Sequence, residues 1–364
     1  MRKINQSLVL GISSVLAFVA ATSHVSAQTC TLATPTAEGA GRCTTGGRGG
    51  DVKIVTSLAA SGAGTLADAI TTAPSAGRII VFAKSGVIDL TTTDASGNPT
   101  GGAIYVNNSN ITIAGQTAPG EGITITGGKL MVRGSNVILE HIRSRRGFIR
   151  ADVDHGDAIS IEPATGVTQS NIFVEHVSAS WGTDENLSLA DAGAATLQWN
   201  LIAEGLNYSN AASNPTNHGY GSIWAGHGGT EASFFHTLYA HNNRRNPHIG
   251  NYTGSGSPTM DFRNNVVYDW QDFASHNNGG ATYNINFVNN YYKSGPSSLT
   301  ANTVFTFDAP STNTKMYSSG NVLNGSAASE ATNNAFPAGT TWSTFQNSTA
   351  FASSAYTTIA AAQN

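Results

Sequence analysis

Ser135-Asn136-Val137-Ile138-Leu139-Glu140-His141-Ile142 and Ser170-Asn171-Ile172-Phe173-Val174-Glu175-His176-Val177 match almost position by position, and Ser109-Asn110-Ile111-Thr112-Ile113 begins the same way. Copies of one word within a chain mean one structural unit used repeatedly. Each copy is a short β-branched or aromatic run flanked by Gly, Asn and Ser turn signals, which predicts strands of about three to six residues. Further along, the stretches around Trp199-Asn200, Phe235-His236, Arg263-Asn264 and Val288-Asn289 repeat an apolar strand that ends in Asn or His and continues into another apolar pair. The step between copies, about 24 to 36 residues, lies in the range of solenoid coils. Its variability excludes a strict propeller blade or a short fixed β-repeat. A parallel β-helix absorbs it, because extra residues become loops on one side while the strands keep stacking. The expected fold is therefore all-β, a single-stranded parallel β-helix. Asn and His at matched turns are expected to stack between coils, with His141, His176 and His236 in structural roles.

No proline-rich linker, acidic run or abrupt change of composition divides residues 45 to 325. A solenoid must protect its open ends. Thr65 to Thr72, where Leu66, Ala69 and Ile70 share a face, predicts an N-terminal helical cap. From 326 to 364 the chain turns rich in Ala, Ser, Thr and Asn and reads as a wrapping tail, leaving 28–325 as the β-helix domain.

With 11% charged residues, 40 glycines and 11 prolines among 364 residues, the composition excludes a coiled coil and a highly charged disordered tail. Eighteen Lys plus Arg against 22 Asp plus Glu give a net charge of −4, with no basic stripe for nucleic acid. Met1, Arg2 and Lys3 followed by an apolar stretch from Leu8 to Ala21 and by Val25-Ser26-Ala27 predict a secretory signal peptide over 1–27. An apolar run of roughly 14 residues is shorter than the ~20 of a membrane span. Cys30 and Cys43 lie just after that cut and are expected to close a disulfide in an oxidising compartment, extracellular or periplasmic. They have no neighbouring His pair for zinc, and Ala27-Gln28-Thr29-Cys30 is a poor lipid-attachment box.

Glu38-Gly39-Ala40-Gly41, Thr44-Thr45-Gly46-Gly47-Arg48-Gly49-Gly50, Val55-Thr56-Ser57-Leu58, Gly62-Ala63-Gly64-Thr65-Leu66 and Ile79-Ile80-Val81-Phe82 occur in this order. Ile113-Ala114-Gly115-Gln116-Thr117-Ala118-Pro119-Gly120 and Val174-Glu175-His176 follow them. In this the chain resembles the secreted pectate lyases of polysaccharide lyase family 1, from about residue 36 to 325. The resemblance implies a right-handed parallel β-helix that cleaves polygalacturonate, the acidic homogalacturonan of plant cell walls, by β-elimination. It also implies Ca2+ bridging protein and substrate carboxylates, and a secreted monomer.

Such a reaction removes a proton next to a carboxylate, so fixed positive charge must meet the enolate-like charge that develops. Calcium takes carboxylate oxygens from several directions. Asp157, in Asp154-His155-Gly156-Asp157, resembles a family ligand just before a strand. Asp184, in Ser180-Trp181-Gly182-Thr183-Asp184-Glu185-Asn186, matches the first of two family acids spaced four apart, and the second position here is Ser188. The departure removes a carboxylate and leaves three alternatives: weaker calcium binding, a water or substrate oxygen in its place, or Glu185 standing in. Arg245, in Asn242-Asn243-Arg244-Arg245-Asn246-Pro247-His248, resembles the family arginine two residues before a proline that takes the proton; as an alternative it clamps a uronate carboxylate. Arg244 is the adjacent cation, expected on the opposite side of a strand. His218 occupies the stretch where the family places a substrate-binding lysine, and is a substrate contact or a packed turn residue. Most of the aromatics, among them Trp181, Trp199 and Trp270, are expected in coil core or coil stacking; Trp224 and Tyr220 lie nearest this groove and are the two to test as sugar contacts. Three alternatives stay open: a calcium-independent pectin lyase, a non-catalytic polysaccharide-binding β-helix, and a glycoside hydrolase. The last is poorly served by Asp184 and Glu185, which adjacent in a strand would face opposite ways.

Overall fold

Strands from the three quoted copies lie side by side as consecutive parallel rungs: Ile111 pairs with Val137 and Val137 with Ile172, and the register runs on to Ala114, Glu140 and Glu175. A computed structural model of the chain describes residues 30–149, 156–165, 167–207, 218–226, 228–250, 256–277, 282–308 and 314–354. The expected signal peptide lies outside them. From Thr31 onward the chain forms one unit, separate from Met1–Cys30.

Three long ladders make up this unit, parallel except for one closing pair at Ser326–Ala327. The first runs from Asp51–Val55 through Arg78–Phe82, Ile111–Ala114, Val137–Glu140, Gln169–Glu175 and the end of Leu187–Gln198. It continues through Glu231–Phe235, Thr259–Arg263 and Asn284–Val288 to Lys315–Ser319. The second begins at Gly86–Asp89 and passes through Ile123–Thr126, Ile142–Arg145, Ser178–Ser180 and Leu201–Ala203 to Val322–Leu323, against which Ser326–Ala327 turns back. The third runs from Gly102–Val106 through Gly128–Val132, Ile159–Ile161, the start of Leu187–Gln198, Ile223–Gly226, His248–Ile249 and Ser275–Asn277. It ends at Phe305–Thr306 and Asn334–Ala335. From Ile111 onward the chain visits first, second and third ladder in turn and then starts again one rung further on, which is the winding of a parallel β-helix.

Inside, one residue from each rung stacks on its counterpart: Ile113, Leu139, Val174, Leu197, Phe234, Phe262 and Phe287 follow one another, all fully or almost fully buried. Such rows carry the stability, because each rung buries an apolar side chain between two others at the ~4.8 Å strand spacing.

At the corner between the first and second ladders, His141, His176, Trp199, His236, Asn264 and Asn289 all adopt φ between 53° and 58°. The residue that follows has a different job. Asn265 donates to Asn290 at 3.1 Å and Asn290 to Asn321 at 3.0 Å, forming a buried amide ladder that also binds the backbone of neighbouring coils. Sequence matching put Asn200 in the same class as His236. The register aligns Gln198 with Phe235, so Trp199 is the partner of His236 and Asn200 begins the buried class. Asn is common in both positions, at the corner because it tolerates a positive φ and one residue later because its amide both donates and accepts.

The glycine-rich words near the N-terminus become a strap across the outer face of the first ladder. Gly41 N–H donates to Thr196 Oγ1 at 2.8 Å and Gly47 N–H to Thr112 Oγ1 at 2.9 Å. A Cβ at Gly41 would stand 2.2 Å from the Ile172 carbonyl oxygen, and one at Gly47 2.0 Å from that of Arg78, so only glycine lets the strap lie this close. Cys30 and Cys43 are both disulfide-bonded. Helix α1, Leu66–Thr71, forms one residue inside each predicted end, with the Thr65 side chain capping Asp68 N–H and Leu66, Ala69 and Ile70 buried. At the other end Phe345 of helix α2, Trp342–Phe345, stacks on Phe307 at 4.2 Å. Beyond it the chain runs back over the first ladder, with Asn347 bonded to Met316, Phe351 to Asn286 and Ser354 to Glu231.

Candidate functional site

Asp157, Asp184, His218 and Arg245 stand on four loops that each lead into the third ladder, in four successive rungs: those of Ile159–Ile161, Leu187–Gln198, Ile223–Gly226 and His248–Ile249. Residues separated by about ninety positions in sequence are thereby brought to one corner.

Asp157, Asp184 and Glu185 offer carboxylate oxygens that all lie within 4.8 Å of one another. Asp157 is held from both sides, accepting from Ser160 Oγ at 2.8 Å and from Glu185 N–H at 3.3 Å. Ser160 pairs in register with Ser188, so the residue at the missing-acid position lies on the floor beneath the cluster and Glu185 supplies the third carboxylate. Asp184 and Glu185 do not face opposite ways: Asp184 lies in a bend and Glu185 makes only an isolated bridge to Tyr220, so no continuous strand imposes alternation on them. Burial pushes Asp157 up to about 7, with Glu185 adding repulsion, and pushes Asp184 up to about 6, with Asp157 adding to it. Burial also raises Glu185 to about 8, against the pull of Arg245. Three carboxylates thus share a desolvated space with too little positive charge. Asp184 Oδ1 is buried there without a hydrogen bond; His218 Nε2 stands 3.8 Å away.

Arg245 forms an ion pair with Glu185. Its guanidinium lies 4.2 Å from the centre of the Tyr220 ring and that of Arg244 lies 4.9 Å from it, while Arg244 Nη2 donates to Tyr220 Oη at 2.8 Å. The expectation that the two arginines diverge fails for a local reason: 242–247 lies outside the strands, and Arg245 has φ 63°, which breaks strand alternation. His218 packs on the same ring at 4.4 Å, and with Tyr220, Asn243, Arg244 and Asp272 it lines a cleft of about 460 Å3. Beneath, Asn186 donates to Asn242 at 2.8 Å and Asn242 to Asn246 at 3.0 Å, tying the acid-bearing loop to the arginine-bearing one.

All five residues singled out by sequence, Asp157, Asp184, His218, Arg244 and Arg245, therefore meet in one place. The aromatic expectations change. Trp224 is fully buried against Phe234 and Phe262, and Tyr220, 1% exposed, is a platform for arginines rather than an open sugar contact. The exposed tryptophans are Trp181 and Trp199. Sequence reasoning also passed over Arg146, buried and close enough to pull Asp184 down. Its signal was a third arginine, beside Arg143 and Arg145, in a chain with few charges.

No family model matches the chain. Among curated proteins, a probable pectate lyase C from Aspergillus flavus is 36% identical over 275 residues, 74% of this chain and 56% of that protein. Its counterpart in Emericella nidulans is 38% identical over 280 residues, 76% and 56% of the two chains. The chain spans a little over half the length of these relatives. Among solved structures, jun a 1, the major allergen of cedar pollen, superposes with a TM-score of 0.58 at 19% identity, over 80% of this chain and 82% of that one. A pectate lyase from Bacillus sp. N165 in complex with trigalacturonate gives 0.53 at 16% identity, over 78% and 86%. Fold and site together define the pectin lyase-like class of mostly β proteins built on long parallel sheets. Within it, sequence kinship places the chain in the pectate lyase family.

Proposed function

We propose that the chain is a calcium-dependent pectate lyase that cleaves polygalacturonate by β-elimination to 4,5-unsaturated products. The observation that carries this reading is the convergence of three carboxylates with Arg245. The donor set fits calcium: hard oxygens, excess negative charge and a buried oxygen of Asp184 that lacks a hydrogen bond. Asp157, Asp184 and Glu185 would hold the ion, which when bound supplies positive charge to the substrate carboxylate and makes the adjacent C5 proton more acidic. Arg245 is assigned to take that proton, held by Glu185 and the Tyr220 ring. Arg244 and His218, on the wall of the adjoining cleft, are assigned to the uronate's carboxylate and hydroxyls. The presence of the acids weighs against a calcium-independent pectin lyase.

The segment 1–27 acts as a signal peptide for secretion, consistent with the disulfide-bonded cysteines. The β-helix is right-handed, as crossovers between parallel strands almost always are. Helix α1 caps its first coils, 326–364 is the tail, and the protein acts as a monomer on homogalacturonan. Among the described residues no helix is long and apolar enough to cross a membrane.

The test is the ultraviolet absorbance of unsaturated uronate during incubation with polygalacturonate. Activity is expected with calcium, none with chelator, and a loss of about a thousandfold in kcat for Arg245→Ala. New reducing ends without the absorbance would mean hydrolysis. Binding without either product would mean a non-catalytic module.

A further inference from the structure

The corner between the first and second ladders faces a different part of the molecule from the acid–arginine cluster, which sits between the second and third. In its last coils this corner uses Asn264, Asn289 and Gly320, residues that accept a positive φ at little cost. In the four coils before these it uses His141, His176, Trp199 and His236, ring residues that pay for the same backbone geometry. His141 stacks on His176 at 4.7 Å and Trp199 on His236 at 4.3 Å with planes 12° apart. Trp199 stacks on His236 and follows His176 in the preceding coil, yet 45% of the residue is exposed. A cleft of about 680 Å3 lies between the strap residues Pro35 to Glu38 and the rings of His176, Trp199 and His236. Past His176 a second cleft of about 320 Å3 holds Gln116, Glu121 and Arg143.

We propose that this corner is a second carbohydrate site, binding an uncharged polysaccharide chain against the exposed ring of Trp199. An aromatic face edged by hydroxyl, carboxylate and imidazole groups suits a pyranose, whose C–H face is apolar and whose rim is hydroxyl. Charge selects the class. The larger cleft carries Glu38, 3.4 Å from His236 Nε2, and no Lys or Arg among its lining residues, whereas the catalytic cleft carries Arg244. In the larger cleft a uronate polymer would meet Glu38 with no Lys or Arg beside it, and in the second cleft Arg143 is accompanied by Glu121. Coils repeat at about 4.8 Å, so the clefts follow the direction of an extended chain laid along the solenoid. Such a site would hold the protein on the neutral glycans of a mixed wall while the other corner works on the acidic one.

The full chain is run by native electrophoresis through gels containing galactan or hydroxyethylcellulose, at low and high salt. Retardation is expected in at least one neutral polymer, little changed by salt because no ion pair is involved. Apparent affinity is expected to fall about tenfold in Trp199→Ala, the loss of one stacking platform, with lyase turnover on short oligogalacturonates unchanged. If Trp199→Ala does not fold, Trp199→His, which places at this corner the residue used in the flanking coils, keeps the stack and is expected to lose affinity at an unchanged thermal midpoint. Arg245→Ala is expected to bind the neutral polymer as the parent does, which separates this site from the lyase reading. The proposal is overturned if neither neutral gel retards the protein, if Trp199→Ala and Trp199→His are retarded like the parent, or if only polygalacturonate retards it, in a salt-sensitive way that Arg245→Ala removes.

Discussion

The three carboxylates at the acid–arginine corner make stability depend on pH in a direction opposite to the usual acid denaturation. Unfolded Asp and Glu titrate near 4, while burial and mutual repulsion raise Asp184 to about 6, Asp157 to about 7 and Glu185 to about 8. The folded state therefore binds more protons than the unfolded one between those limits. Its stability is complete below about pH 4 as far as these groups are concerned, and is lost as pH rises through about 6 to 8. In chelator the thermal midpoint is expected to fall by roughly 5 °C or more between pH 5 and pH 8. Calcium, which would compensate the same charges, should restore it, and most strongly at the alkaline end. A midpoint in chelator that stays flat across this range would mean that the three acids are not crowded as described. At the same scale, the residue types at 157, 184 and 245 were legible as chemistry from their motifs. The place of Glu185 in the cluster was not, because it depends on 181–186 forming bends and one isolated bridge rather than a continuous strand.

At the scale of one element, the amide ladder of Asn265, Asn290 and Asn321 joins three coils. Asn290 accepts from the backbone and side chain of Asn265, donates to the Phe262 carbonyl at 3.1 Å and donates to Asn321 at 3.0 Å. Asn290→Ala leaves several buried groups unpaired at once, and is expected to destabilise the fold by about 2–4 kcal/mol, read from denaturant midpoints. Asn289→Ala, one residue earlier at the half-buried corner, is expected to cost less, about 1 kcal/mol from placing Ala at a positive φ. Equal costs would show that the two asparagines are not distinguished as the register requires. The sequence showed that asparagines recur at turns. Which of each pair points inward follows from strand pairing, since a one-residue shift exchanges inside and outside.

For the whole molecule, the coils hold together by stacking, so their ends are where the fold is vulnerable. Phe307 is covered by Phe345 at 4.2 Å and by Phe336 at 5.5 Å, and Trp342 packs beside them. A chain ending at Phe336 loses Trp342 and Phe345. It is expected to unfold with about 3 kcal/mol less stability and to bind a dye for exposed apolar surface. If its melting is unchanged, the aromatic cluster around Phe307 does not close that end.

Repetition in the chain was enough to determine the winding, because each copy carries its own strand and turn signals and those are local. The motifs further determined the family and the residue types of the acid–arginine corner. Only the tertiary structure decided which acid replaces the one absent at Ser188, that Arg244 and Arg245 share the Tyr220 ring, and that Trp224 is core while Trp199 is surface. These outcomes depend on where bends interrupt strand alternation and on how loops from successive coils meet across the solenoid. Such proximity is set by the stacking of coils, and spacing along the chain carries no record of it.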